Sequence, residues 1–309
     1  MIVAGKGGVG KTTVTAALAT AAARTGMSVL IVEVEGKSGL AACFGEPALT
    51  YEEAELRPGV RARTLTPDDA LLEYLDDHGM RRISKRLSRS GALDVVATAV
   101  PGMRDILVLG KVKQLERANA ADLIVLDAPA AGHAVSFLLS ARGLLDAVRV
   151  GAINRQAADV VELLSDPARC QVMLVTLPEE TPVNELVDTA YAIEDRAGVK
   201  LGPVVVNGCV APLGTDGALR AREGVRADAL AAGLTLAEAE LDALAEAAAF
   251  RDDLARRQAD QCERLAERLP LPQLRLPFFF TADVGPGEIE VLADELTAGI
   301  ASLEDVAAQ

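Results

Sequence analysis

Tryptophan is absent from the 309 residues, and aromatic residues make up only 3% of them. Grooves for single-stranded nucleic acid stack bases on aromatic rings, so this chain lacks the material for one. Positive charge is also scarce: 31 Lys and Arg against 45 Asp and Glu leave a net charge of −14. A surface that acidic does not attract DNA, RNA or anionic lipid unless basic residues cluster locally. The densest cluster, Arg81, Arg82, Lys85, Arg86 and Arg89, reads as the solvated face of a helix. No nucleic-acid partner is expected. Cys43, Cys170, Cys209 and Cys262 stand far apart and form no CxxC pair. That spacing builds no zinc cluster, and scattered thiols suit a reducing compartment. No apolar run reaches the roughly 18 residues of a membrane span. With the first motif starting within five residues of Met1, a cytoplasmic protein is expected.

What the chain does have is enough apolar residue, 50%, to bury a sizeable core, which excludes disorder. A short strand, Met1 to Ala4, leads through a Gly-rich turn into an Ala-rich helix from about Thr12 to Arg24. Ser28 to Val34 is a β-branched run suited to a strand buried on both faces. Similar strands are predicted at Val60 to Leu65, Leu123 to Leu126, Val172 to Thr176, Val204 to Val206 and Leu274 to Leu276. Helical stretches such as Pro182 to Ala197 and Ile289 to Leu303 separate them. Alternating strands and helices predict an α/β fold with a doubly wound, mainly parallel sheet. Residues of about 67–118 and about 215–268 break the rhythm as helical insertions, and one continuous domain over 1–309 is expected.

The strongest motif is Gly5-Lys6-Gly7-Gly8-Val9-Gly10-Lys11-Thr12, followed by Thr13. It fits GxxxxGK[ST] and lies between a strand and a helix, as a phosphate-binding loop must. The glycines let backbone N–H groups turn inward around phosphate oxygens. The helix N-terminus adds partial positive charge. Lys11 supplies a full charge for the β and γ phosphates, and the Thr12 hydroxyl is a ligand for Mg²⁺. Leu123 to Asp127 is an apolar strand ending in an acid, which places Asp127 to hold the Mg²⁺ shell opposite Thr12. ATP and Mg²⁺ are the expected ligands. A second lysine in the loop, Lys6, repels Lys11 unless several phosphate charges are present.

With that second lysine, the loop resembles the deviant Walker A motif, KGGxGK[ST], of a P-loop ATPase class. The class includes nitrogenase iron protein, the partitioning ATPases and the arsenite/tail-anchored-protein ATPases. The resemblance implies that Lys6 reaches across a dimer interface to the partner's nucleotide. Asp127 continues as Ala128-Pro129-Ala130-Ala131-Gly132-His133, with Leu138 beyond, which resembles the DTAPTGHTLRxL switch II of the arsenite/tail-anchored family. Leu177-Pro178-Glu179-Glu180 with Glu185 is similar to the family's PE…E stretch. Val204 to Asn207 resembles its VVNQ segment, which implies that Asn207 reads the adenine edge. Pro101-Gly102-Met103 with Lys111 to Leu115 resembles its PGIDE…MEVMK region, and the resemblance spans nearly the whole chain.

Three departures qualify it. Glu35 stands where the family's switch I has the Asp that positions the attacking water, so the carboxylate moves by about one methylene, and displacements near 1 Å can cost on the order of 100-fold. The zinc-binding CxxC of the eukaryotic tail-anchored factors is missing, so no zinc is expected, and dispersed thiols argue against arsenite stimulation. Only five Met are present, two of them (Met80 and Met103) in the first helical insertion, which leaves little of a Met-rich groove for a membrane segment. The expectation is a bacterial, actinobacterial-type member of the family: a dimeric switch, homodimer or heterodimer with a paralogue, hydrolysing ATP with Lys6, Lys11, Glu35 and Asp127 for a client or membrane-protein partner. The alternative is an ATP-binding regulatory subunit with weak hydrolysis, paired with a competent paralogue.

Overall fold

The computed structural model describes residues 1–34, 39–77, 79–90, 102–214 and 217–307. The chain opens with strand β1 (Ile2–Gly5) and helix α1 (Lys11–Arg24), then β2 (Val29–Val34) and the short α2 (Gly39–Cys43). A hairpin of β3 (Ala54–Arg57) and β4 (Val60–Leu65) follows. Its two-residue turn is Pro58-Gly59, in which Pro fixes the first φ and Gly59 takes the left-handed second one, at 82°. Helices α3 (Pro67–Asp77), α4 (Arg81–Ser90) and α5 (Met103–Arg117) precede β5 (Leu123–Ala130). Helices α6 (Ala131–Ala147) and α7 (Ala152–Ser165) lead to β6 (Gln171–Thr176). Helix α8 (Glu180–Tyr191) runs on into a π-helical turn (Ala192–Ala197), then β7 (Lys200–Leu201) and β8 (Val204–Cys209). Beyond these come α9 (Arg222–Ala231), α10 (Glu238–Arg268), β9 (Gln273–Pro277) and α11 (Pro286–Ala307).

Among the described residues one nine-stranded sheet forms, in the order β3-β4-β2-β5-β1-β6-β8-β9, with β7 also beside β6. Every pairing in it is parallel except that of β3 with β4. Because side chains alternate along a strand, each apolar run feeds both faces. Ile2, Ala4, Leu30, Val32, Leu126, Val172 and Leu174 face one core with α5, α6, α7 and α8. Val3, Val29, Ile31, Val125, Met173 and Val205 face the other, with α1 and α11. Helix α5 supplies Ile106, Val108, Leu109 and Leu115 to the first core, so the end of the 67–118 stretch is a crossover helix of the sheet layer.

The predicted strands are all present, and several run further. β5 continues through Asp127 to Ala130 and β8 to Cys209. The sequence pattern does not announce β3, whose residues AELR sit on the sheet edge with two of the four exposed, so burial imposes no alternation. Arg81, Arg82, Lys85 and Arg86 lie exposed on α4, as a solvated face should. Among the described residues no helix is long and apolar enough to cross a membrane.

Candidate nucleotide site

β1 lies between β5 and β6 at the centre of the sheet, and the Gly-rich loop leaves its carboxyl end. Ligands of open parallel sheets bind at such carboxyl ends. Gly5 is required there by space: a Cβ would lie 2.3 Å from the Val175 carbonyl oxygen on β6. Gly8 and Gly10 adopt left-handed conformations, φ 83° and 89°, which L side chains avoid. Gly10 caps α1 without any side-chain hydrogen bond, so the first amides of that 14-residue helix are left to face a ligand.

Lys11 is buried, and its Nζ donates to the Lys6 carbonyl oxygen at 2.9 Å, folding the side chain back over the loop. The Thr12 hydroxyl donates to Asp127 Oδ2 at 2.7 Å. Asp127 is fully buried in β5, paired in register with Val3 on one side and Glu33 on the other. Thr13 is half-buried on the first turn of α1. Asn207, at the carboxyl end of β8, donates its Nδ2 to the Val9 carbonyl oxygen at 3.0 Å, so it braces the loop from the side. Lys6 turns away from Lys11 and pairs with Glu185 of α8 at 2.7 Å. Glu35 lies outside the described residues.

The arrangement fits a nucleoside triphosphate and a divalent cation. Gly7 and Gly8 have nothing within 4 Å of where a Cβ would be, leaving an open cradle lined by backbone. A hydroxyl and a carboxylate already in contact beneath it are the oxygen donors that Mg²⁺ prefers. Thr12 and Asp127 could hold it; among the described residues no group of three or more His, Cys, Asp and Glu side chains forms a metal cluster.

Glu33 lies beside the candidate site, and the motifs do not reveal it. It is 2% exposed, next to Asp127 in the sheet, and accepts from the Thr64 hydroxyl at 3.0 Å. The available signal is one acid inside an otherwise apolar strand. The Cys43 thiol is pushed up by burial and by the charges of Asp127 and Glu33. His133 is exposed at the start of α6. The Asp105 carboxyl is pushed up by burial, with His133 and Arg104 opposing. The four cysteines are free thiols, but they are not all dispersed: Cys209 and Cys262 line one cavity, because α10 folds back onto the end of β8, where the Cys209 thiol donates to the Val206 carbonyl oxygen at 3.5 Å.

A Gly-rich loop between a central parallel strand and a helix, with a lysine folded over it and a Thr–Asp pair beneath it, defines a P-loop nucleotide-binding protein. A family model for anion-transporting ATPases matches residues 1–149. The ATPase BagA of Mycobacterium tuberculosis is 35% identical over 297 residues, which cover 89% of this chain and 86% of the relative. An arsenical pump-driving ATPase of Escherichia coli is 30% identical over 210 residues, 66% of this chain and 33% of that protein. The ATPase get3 of Schizosaccharomyces japonicus is 29% identical over 141 residues, 45% of this chain and 42% of that protein. The chain belongs to the anion-transporting ATPase family, and its general activity is that of an ATPase.

Proposed function

We propose that the chain is a Mg²⁺-dependent, dimeric ATPase switch, one P-loop domain over 1–309 in the cytoplasm. Gly5 to Thr13 cradle the phosphates, Lys11 binds the β and γ oxygens, and Thr12 and Asp127 hold the metal. Bound there, Mg²⁺ would offset charge developing on the phosphates. The observation that carries this reading is the 2.7 Å contact between Thr12 Oγ1 and Asp127 Oδ2 directly below the loop. Lys6 is the signature lysine of a deviant Walker A loop and exchanges its Glu185 partner for the nucleotide of a second protomer, either a copy of this chain or a paralogue. Asn207 takes the adenine edge once it releases Val9. Glu35 positions the attacking water. No zinc is assigned. The Escherichia coli relative is named for driving a pump, and by that likeness a membrane-protein client or partner is assigned here. The stretches of about 67–118 and about 215–268 would carry the nucleotide state to it.

Steady-state ATP hydrolysis with Lys11→Ala as the blank tests the assignment. Turnover above the blank supports it; equal turnover and equal ATP affinity in the two proteins overturn the phosphate site. A second reading rests on Glu35 in place of an aspartate: a regulatory ATP-binding subunit with little hydrolysis of its own. ATP binding without turnover, with turnover restored on adding a paralogue, would select that reading.

A further inference from the structure

A cavity of about 700 Å³ lies against the end of β8, lined among others by Cys209, Gln258, Cys262, Arg256 and Arg275. Two of the four cysteines meet there although 52 residues separate them along the chain, a closeness set by the docking of α10. The docking is explicit: Val210 N donates to Gln258 Oε1 at 2.7 Å, and Gln258 Nε2 donates to the Gly208 carbonyl oxygen at 3.3 Å. Gln273 Nε2 on β9 donates to the Cys262 carbonyl oxygen at 2.9 Å. Both thiols therefore hang on backbone tied in place on either side of the cavity. Hydrogen bonding from Cys209 holds the Cys262 thiol down, to about 7; Arg275 on β9 acts in the same direction, while burial and Glu263 oppose. The Cys209 thiol is pushed up by the same hydrogen bond and by burial. Cys262 is itself buried, at 3% exposed, but it lines the cavity; Cys43 and Cys170 are buried away from it, and burial pushes both of their thiols up.

We propose that Cys209 and Cys262 are a peroxide-responsive thiol pair that closes to an intramolecular disulfide, pinning α10 to the strand that carries Asn207. The Cys262 thiolate attacks one peroxide oxygen, the O–O bond breaks, and the departing hydroxide takes a proton to leave as water. Cys262 is then a sulfenic acid. The Cys209 sulfur attacks the Cys262 sulfur, the S–O bond breaks, and a second water leaves with the Cys209 proton. Two thiols and one hydrogen peroxide thus give one disulfide and two waters, the thiols supplying both electrons. The inference does not depend on the nucleotide assignment, because it concerns the thiols and α10 alone.

The purified full chain is treated with hydrogen peroxide at neutral pH and mapped by mass spectrometry without reduction. The expected product is a Cys209–Cys262 cross-link that dithiothreitol reverses, with Cys262 consumed on the order of tenfold faster than Cys43 or Cys170. Cys209→Ser should stop at a Cys262 sulfenic acid that dimedone traps; Cys262→Ser should give neither cross-link nor rapid peroxide consumption. Hydrogen exchange in α10 around Gln258 and Cys262 should slow on oxidation and recover on reduction. Cross-links that join Cys43 or Cys170 instead, or a folded protein in which all four thiols survive equally, would overturn the site. Unchanged exchange in α10 would overturn the pinning.

Discussion

Lys6 Nζ and Glu185 Oε1 stand 2.7 Å apart, joining the phosphate loop to α8 through an ion pair whose side chains are 42% and 43% exposed. The proposed role for Lys6 requires that this pair open. Exposed pairs of this kind contribute less than about 1 kcal/mol, so the latch is weak and readily exchanged for phosphate charge. Glu185→Gln should leave folding intact and lower the ATP concentration that induces dimerisation, by at most about fivefold. Lys6→Ala should abolish the ATP-induced dimer while the monomer stays folded. Sedimentation velocity across an ATP titration reads both; an unchanged dimer in Lys6→Ala removes Lys6 from the interface.

Asp127 and Glu33 are neighbouring buried acids, paired in register on β5 and β2. Asp127→Asn keeps an acceptor for the Thr12 hydroxyl and removes the carboxylate. Hydrolysis should fall by at least about 100-fold, with the variant still folded by circular dichroism. Unchanged turnover in a folded Asp127→Asn would remove Asp127 from the metal site.

At Gly10, an added Cβ would sit 2.2 Å from Asn207 Nδ2, in a backbone with φ of 89°. Gly10→Ala should cost about 1–2 kcal/mol for the left-handed conformation alone, plus the collision, and nucleotide binding should be lost. Asn207→Ala removes the collision partner and its hydrogen bond to Val9, worth about 1 kcal/mol. The double variant should therefore lose less than the sum of the singles, by about 1 kcal/mol in a denaturant cycle. Strict additivity would show that the two positions do not touch. Asn207→Ala alone should also narrow the preference for ATP over GTP, measured as relative affinities.

Arg169 grips Glu116 with two hydrogen bonds of 2.8 Å, tying the segment before β6 to α5. The guanidinium holds the Glu116 carboxyl below its ordinary value. A lowered folded value means that the contribution is present above the unfolded value near 4.3 and is lost as pH falls through the lower, folded one. Arg169→Gln should cost about 1 kcal/mol at neutral pH and move the acid-unfolding midpoint to higher pH. The gap between variant and parent should vanish once Glu116 is protonated in both. A gap that persists at low pH would assign the effect to lost packing.

The sequence pattern specifies what local spacing can specify. The loop from Gly5 to Thr12, the acid at Asp127 and the parallel strands each follow from a motif or an alternation within a few residues. The Pro182–Ala197 helix is read as continuous because a π turn keeps nearly the same pattern, and only Gly198, with φ of 65°, marks its end. What escapes is long-range. Glu33 meets Asp127, Lys6 meets Glu185 and Cys209 meets Cys262 only after sheet order and helix docking are set. No spacing rule joins positions 52 or 178 residues of intervening chain apart.

Helix α1 carries the loop on a bed of very small side chains: Ala16, Ala17 and Ala19 are all buried, against the sheet and α11. Alanine has no rotamers to lose on folding, so this bed is laid down without the side-chain entropy cost that larger residues incur. It also has no slack. A methyl-sized step cannot be absorbed by turning a bond, and any enlargement must push the helix, and the loop attached to it, away from the strands. The shape of the phosphate cradle is thus guarded from behind by residues with no chemistry of their own, and substitutions there should impair the site as surely as changes in the motif.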